Sequence, residues 1–394
     1  MNLKLRGVRL LGDDQERVGL WDVEVRNGWI HAVLPASPSI LASDLPMVDA
    51  TGAYLLPGLI DLHVHLVWDG GPDPVATLER ERREETLLRA VGHARQTLEA
   101  GITTVRDLGS VDDLGIDLAE AVERGHVVGP RIIASGRTII MTGGHDPFWG
   151  VMADGPADVL KATRSQIYRG AAVIKVSATG GVYGRARGES VSDEELTFAE
   201  IRVIVDEAHK RGIAVAAHAI GLNGIRNAVQ AGVDTIEHGH QLTPELAADL
   251  AARDGTLVPT LFVYRQIAEQ PGIPDYAQAK AKAIVDEHRR AVRLAQEAGL
   301  RIGAGSDAGS PLTPHGALID ELLALVDAGV SPGSALRATT QDAARVLGLG
   351  HELGRVAPGF LADLVLVPEN PLADLGRLRS ISSVWKGGRL VFAR

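Results

Sequence analysis

An α/β fold, a (β/α)8 barrel with a small β-sandwich domain formed by both termini, is predicted by three features of this 394-residue chain. Apolar strand-like runs alternate with helix-periodic segments through its middle, its two ends share a separate turn-rich β character, and histidines and carboxylates gather where the runs end. Strands separated by helices pair in parallel through right-handed crossovers, and eight of them close into a barrel of about 250 residues. The remaining length is enough for a second, smaller domain.

Taken in order, the first 35 residues alternate in the strand manner, and Val23 to Val33 reads as two strands joined by Asn27-Gly28, the strongest short hairpin signal. The segments 354–367 and 381–391 have the same short-strand, Gly-turn character, so the two ends are expected to share one sheet domain, 1–54 with 354–394. Between them, residues 55–353 form the expected barrel. Its eight strand-like runs are 55–65, 102–107, 131–135, 173–177, 213–218, 235–238, 257–260 and 302–307. Helical periodicity fills the separators, among them 84–100, 192–211 with a Ser192-x-x-Glu195 start, 221–231, 244–253, 277–298 and 314–328; residues 331–349 read as terminal helices.

Composition narrows the function. No run approaches the roughly 18 apolar residues of a membrane helix, and the N-terminus lacks an apolar stretch of signal-peptide length, so a cytoplasmic location is expected. The net charge of −10 and the lack of a Lys/Arg-rich run argue against nucleic acid as a partner. With no cysteine, any metal must be held by His, carboxylate or modified Lys.

The run 55–65 ends in His63-Val64-His65. Strand side chains alternate faces, so the two imidazoles point the same way and can chelate one ion. Lys175 lies in the fourth run, and His218, His238 and Asp307 end the fifth, sixth and eighth. Singly, Lys175 reads as a salt-bridge partner, His218 as a loop residue and Asp307 as a helix cap. Together they converge on the carboxyl face of a barrel, where such folds build active sites, and the set reads as a metal centre.

These residues carry a resemblance to the amidohydrolase superfamily, in its binuclear-metal branch. The chain matches in Pro57-Gly-Leu-Ile-Asp-Leu-His-Val-His65, Ile236-Glu-His-Gly239, Gly305-Ser-Asp307 and Gly359-Phe-Leu-Ala-Asp-Leu-Val365. Gly143-Gly-His145, Ile174-Lys-Val-Ser-Ala-Thr-Gly-Gly-Val182 and Val258-Pro-Thr-Leu261 look like Xaa-Pro dipeptidases and imidazolonepropionase-like proteins. The resemblance implies His63, His65 and Asp307 as ligands of a buried metal, His218 and His238 as ligands of a more exposed one, and Lys175 as a bridging carbamate derived from CO2. Electrostatics favours that modification, because an ammonium between two divalent cations adds a fifth positive charge to four. Zn2+ suits imidazole and oxygen donors. The implied chemistry is attack of a metal-bridging hydroxide on a carbonyl, with Asp307 taking the water proton and delivering it to the leaving amine. His145 is expected either to donate to the oxyanion or to hold a substrate carboxylate.

The match departs at one point. Dipeptidases of this kind carry tyrosine two residues after the fifth-strand histidine, where this chain has Ile220; Tyr183 and Tyr264 are the candidates to supply that hydroxyl. Arg185 or Arg187 could meet a substrate carboxylate, and Trp68, Phe148, Trp149 and Phe262 suggest a pocket for an apolar or aromatic small molecule. The expected enzyme, a homo-oligomer, cleaves amide bonds of small dipeptide-like or N-acyl amino acid substrates. The alternatives are a lactone, carbamate or organophosphate ester hydrolase, a deaminase, for which relatives have glutamate where Gly221 stands, or a non-catalytic ligand-binding scaffold.

Overall fold

The computed structural model of the chain describes residues 1–11, 16–36, 45–184 and 188–394. Segments from both ends build one sheet, in the order Arg389–Ala393, Ser383–Lys386, Leu364–Val367, Tyr54–Pro57, Leu3–Leu10, Trp21–Arg26, Trp29–Pro35, with Met47–Asp49 beside Leu3–Leu10. The hairpin expected at Asn27-Gly28 is present. Both residues have positive φ, 53° and 84°, as a two-residue turn matched to strand twist requires.

The rest is parallel sheet with helices between strands. Leu59–Val64, Ile102–Asp107 and Arg131–Ala134 form one sheet; Val173–Ser177, Ala214–Ala219, Thr235–His238, Thr256–Val258 and Arg301–Ile302 are consecutive in another, which also holds the short strands Ile139–Ile140 and Val151–Met152. Backbone hydrogen bonds join the two sheets at both ends: Ala172 N–H donates to Ala134 O at 2.9 Å, Leu62 N–H to Ala304 O at 2.9 Å and Asp307 N–H to His63 O at 2.8 Å. Ile102–Asp107 and Val173–Ser177 are buried at every residue, and Ala214–Ala219 at all but its first, as expected of strands covered by helices on both faces.

Three local expectations change. The single strand over 55–65 is two: Tyr54–Pro57 pairs with Leu364–Val367 in the terminal sheet, the chain turns at Gly58, and Leu59–Val64 enters the parallel sheet. A side chain at position 58 would collide with Thr103. The eighth strand shrinks to Arg301–Ile302, yet the chain runs on along Leu59–Val64; a Cβ on Gly305 would lie 2.7 Å from that of His63, so glycine permits the approach. The helix expected from Ser192 begins at Phe198, capped reciprocally by Thr197 and Glu200, because Glu195 is turned inward to accept from the backbone N–H of His145. Among the described residues no helix is long and apolar enough to cross a membrane.

Candidate active site

All six side chains singled out as metal ligands, His63, His65, Lys175, His218, His238 and Asp307, line one cavity of about 460 Å3 at the carboxyl ends of the parallel strands. The imidazoles cluster, with ring centroids 5.2 Å apart for His63 and His65, 5.2 Å for His63 and His238, and 4.6 Å for His218 and His238. Asp307 Oδ1 lies 3.4 Å from His65 Nε2 and 3.9 Å from His63 Nε2. Donors around a tetrahedral cation held at about 2.0–2.1 Å lie roughly 3.3 Å apart; Asp307 and His65 are near that spacing, and ligand atoms of all three residues lie within 4.8 Å of one another.

The charge state suits ligation. Burial lowers the pKa of His63 and drives those of His65, His218 and His238 well below their ordinary value, with Lys175 and the neighbouring rings adding to the effect. Neutral imidazoles offer the lone pair a cation needs. Burial likewise lowers the Lys175 pKa and favours its free amine, the form able to combine with CO2.

Partners behind the cavity fix each ring. His63 Nδ1 donates to Glu237 Oε2 at 2.9 Å, His65 Nδ1 to Gly109 O at 3.3 Å, His218 Nε2 to Gly180 O at 3.2 Å and His238 Nδ1 to Thr260 Oγ1 at 2.7 Å. The backbone is strained where these groups are held, since His238, Thr260 and Asp307 all have positive φ, 73°, 55° and 57°. Glu237 is wholly buried; burial alone would raise its pKa, but Arg106, followed by His63 and Lys175, holds it down at about 2. Arg106 spends its guanidinium on Leu62 O, Thr235 Oγ1 and Glu237 Oε1. Arg106→Met should therefore destabilise the fold by about 3–5 kcal/mol in urea unfolding, because it leaves the Glu237 charge buried without its main partner.

Sequence reading missed Arg106 and Glu237, although charged residues inside runs otherwise apolar were the available signal. It also missed the carboxylates around His145. Nδ1 of that ring donates to Glu189 Oε1 at 2.7 Å and Nε2 lies 3.2 Å from Asp146 Oδ1, while its backbone N–H donates to Glu195. Burial acts against its charge, but Asp146, Glu189 and Glu195 push its pKa up to about 9. The ring, 4.3 Å from that of His218, stands on the cavity wall with both nitrogens already facing carboxylates, which favour its charged form.

The remaining candidates divide. Tyr183 lines the cavity, but its hydroxyl donates to Asp73 and accepts from Val75 N–H, so in this arrangement it is committed away from the histidines. Tyr264 lines the cavity with its ring edge-on to His238 at 5.2 Å. Ile220 is fully buried in the apolar cluster that includes Tyr264, Val263 and Trp68, and does not line the cavity. Trp68 is on the wall, with Trp149 stacked on His65 at 4.9 Å and Phe148 against both indoles. Phe262 belongs instead to the main core, because its helix turns Val263, Tyr264 and Ile267 toward the cavity. Arg185 and Arg187 lie outside the described residues.

The model of the amidohydrolase family matches residues 54–391. An ochratoxinase from Aspergillus niger is 31% identical over 370 residues, 85% of this chain and 75% of that protein. Among solved structures, a Xaa-Pro dipeptidase with methionine bound in its active site is similar at TM-score 0.92 and 30% identity, over 100% of both chains. A prolidase complexed with N-methylphosphonate-L-proline gives 0.91 at 28%, again over 100% of both.

Proposed function

The chain belongs to the amidohydrolase family, and from that premise we propose that it hydrolyses amide bonds of small dipeptide-like or N-acyl amino acid substrates at a two-metal centre. In this reading residues 59–353 are a closed (β/α)8 barrel and 1–58 with 354–394 its sandwich domain; the boundary expected after residue 54 moves to Gly58 because Tyr54–Pro57 pairs with Leu364–Val367. The observation that carries the reading is the convergence of four buried imidazoles, Lys175 and Asp307 on one cavity.

His63, His65 and Asp307 would hold one divalent ion, His218 and His238 the other, with carbamylated Lys175 between; Zn2+ fits the donors best. When bound, such a pair supplies a water that ionises near neutral pH and polarisation of the scissile carbonyl. The chain's own groups do the rest. Asp307 takes the water proton and passes it to the leaving nitrogen, which departs as an amine and not as its unstable anion. Glu237 and Thr260 fix the tautomers of His63 and His238 and hold the remaining nitrogens toward the cavity. Tyr264 supplies the hydroxyl that Ile220 lacks, and Trp68, Val182, Val263 and Ile267 offer an apolar or aromatic substrate group its wall. The relatives named ochratoxinase, Xaa-Pro dipeptidase and prolidase support the amide specificity. A cytoplasmic location fits a chain without cysteine, and assembly as a homo-oligomer is part of the same reading.

A second reading, hydrolysis of lactones, carbamates or organophosphate esters, is favoured by one observation: Ile220 is buried in an apolar cluster where related dipeptidases place a tyrosine hydroxyl. Esters have better leaving groups and depend less on that donor. Panels of dipeptides, N-acyl amino acids, lactones and carbamates, assayed with metal analysis on one preparation, separate the two. The expected result is amide turnover, highest for aromatic or apolar side chains, that is lost on chelation and returns with Zn2+. Turnover confined to the ester series would replace the reading, and full activity after metal removal would end it.

A further inference from the structure

Outside the cavity, Glu321 stands on helix Leu318–Asp327 with its side chain wholly buried. Its Oε2 accepts from the backbone N–H of Phe262 at 2.7 Å, and its Oε1 has no hydrogen-bond partner among the described residues. Phe262 is the second residue of helix Leu261–Glu269, whose first N–H groups lack intrahelical acceptors. Ordinarily the residue before a helix supplies the cap. Here that residue is Thr260, its φ is 55°, and its hydroxyl is spent on His238 Nδ1 and Pro259 O, so no local side chain is left to cap the helix. The buried carboxyl of Glu321 fills the role from 59 residues away in sequence. Burying a carboxyl with one oxygen unpaired is costly, and such a group calls for a compensating role.

The role follows from what the capped helix carries. Val263, Tyr264 and Ile267 form one wall of the cavity, and Thr260, immediately before them, orients His238. We propose that Glu321 is a positioning residue for substrate: by capping helix Leu261–Glu269 in place of Thr260, it holds that wall in place against the part of the substrate that does not react. The wall's contact with substrate rests on the amide-hydrolase reading above; the capping does not. Burial pushes the Glu321 pKa up to about 8, so near neutral pH an amide is its close match in shape and charge.

The test compares Glu321→Ala and Glu321→Gln with the wild-type full chain loaded with Zn2+, by segment-resolved hydrogen exchange and by kinetics on N-benzoyl-L-phenylalanine. Glu321→Ala should speed exchange in residues 261–269 by roughly tenfold or more, leave the strand amides of 59–64 protected, and raise KM by about tenfold while kcat stays within about threefold. Glu321→Gln, which keeps an oxygen for the Phe262 N–H, should restore both. Unchanged exchange in the alanine variant overturns the cap. Faster exchange with unaltered KM overturns the positioning role, and so does a glutamine variant no better than alanine. If wild type cleaves neither this probe nor any other amide of the panel, the amide reading fails while exchange still decides the cap. Should Glu321→Ala not fold, Glu321→Asp, shorter by one methylene, takes its place against Glu321→Gln in both measurements.

Discussion

Asp307→Asn is expected to lower kcat by roughly three orders of magnitude while most of the bound metal is retained. The amide keeps an oxygen on the cavity and the same shape, so four imidazoles and Lys175 can still hold cations. What goes is the only group assigned to move a proton from water to the leaving nitrogen. The Ser310 hydroxyl, which donates to Asp307 Oδ1 at 2.7 Å, loses its charged acceptor as well. KM should change little, since Asp307 acts on the reacting atoms and not on the apolar wall. Metal content by plasma emission, measured beside kcat on the same sample, checks this; a variant that turns over normally removes Asp307 from the mechanism.

Lys175→Ala should have an effect as large by a different route. Deleting the bridge leaves two cations to repel each other with Asp307 as the one carboxylate ligand, among donor residues reduced from six to five, so metal content should fall below two per chain and activity by more than about a hundredfold. The void left by the side chain should admit a short carboxylic acid, and added acetate or propionate should recover part of both losses. A fully loaded and fully active variant would contradict the bridge.

Much of this was legible in the sequence because strand and helix have distinct periods. The alternation of runs 102–107, 173–177 and 235–238 with helical separators foretold parallel sheets, and Asn27-Gly28 foretold its turn. The histidines were legible because a buried strand rarely ends in two imidazoles on one face. Other features depend on partners far apart in the chain. Arg106 and Glu237 meet across 131 positions, and Glu321 and Phe262 across 59, so neither pairing leaves a local pattern. The early end of the run 55–65 at Gly58 was hidden for a related reason: both halves are apolar, and only the identity of their partners, Leu364–Val367 for one and Ile102–Asp107 for the other, divides them. Tyr183 shows the converse. Its position near the site could be read from Lys175, but the bond of its hydroxyl to Asp73, 110 residues away, could not.

The most direct test is a crystal of the zinc-loaded protein, with diffraction recorded on both sides of the zinc absorption edge. Two anomalous peaks about 3.5–4 Å apart among His63, His65, Lys175, His218, His238 and Asp307 are expected, with density for a carboxyl group continuous with Lys175 Nζ. An unmodified Lys175, or a cavity without anomalous signal at saturating zinc, would contradict the two-metal hydrolase.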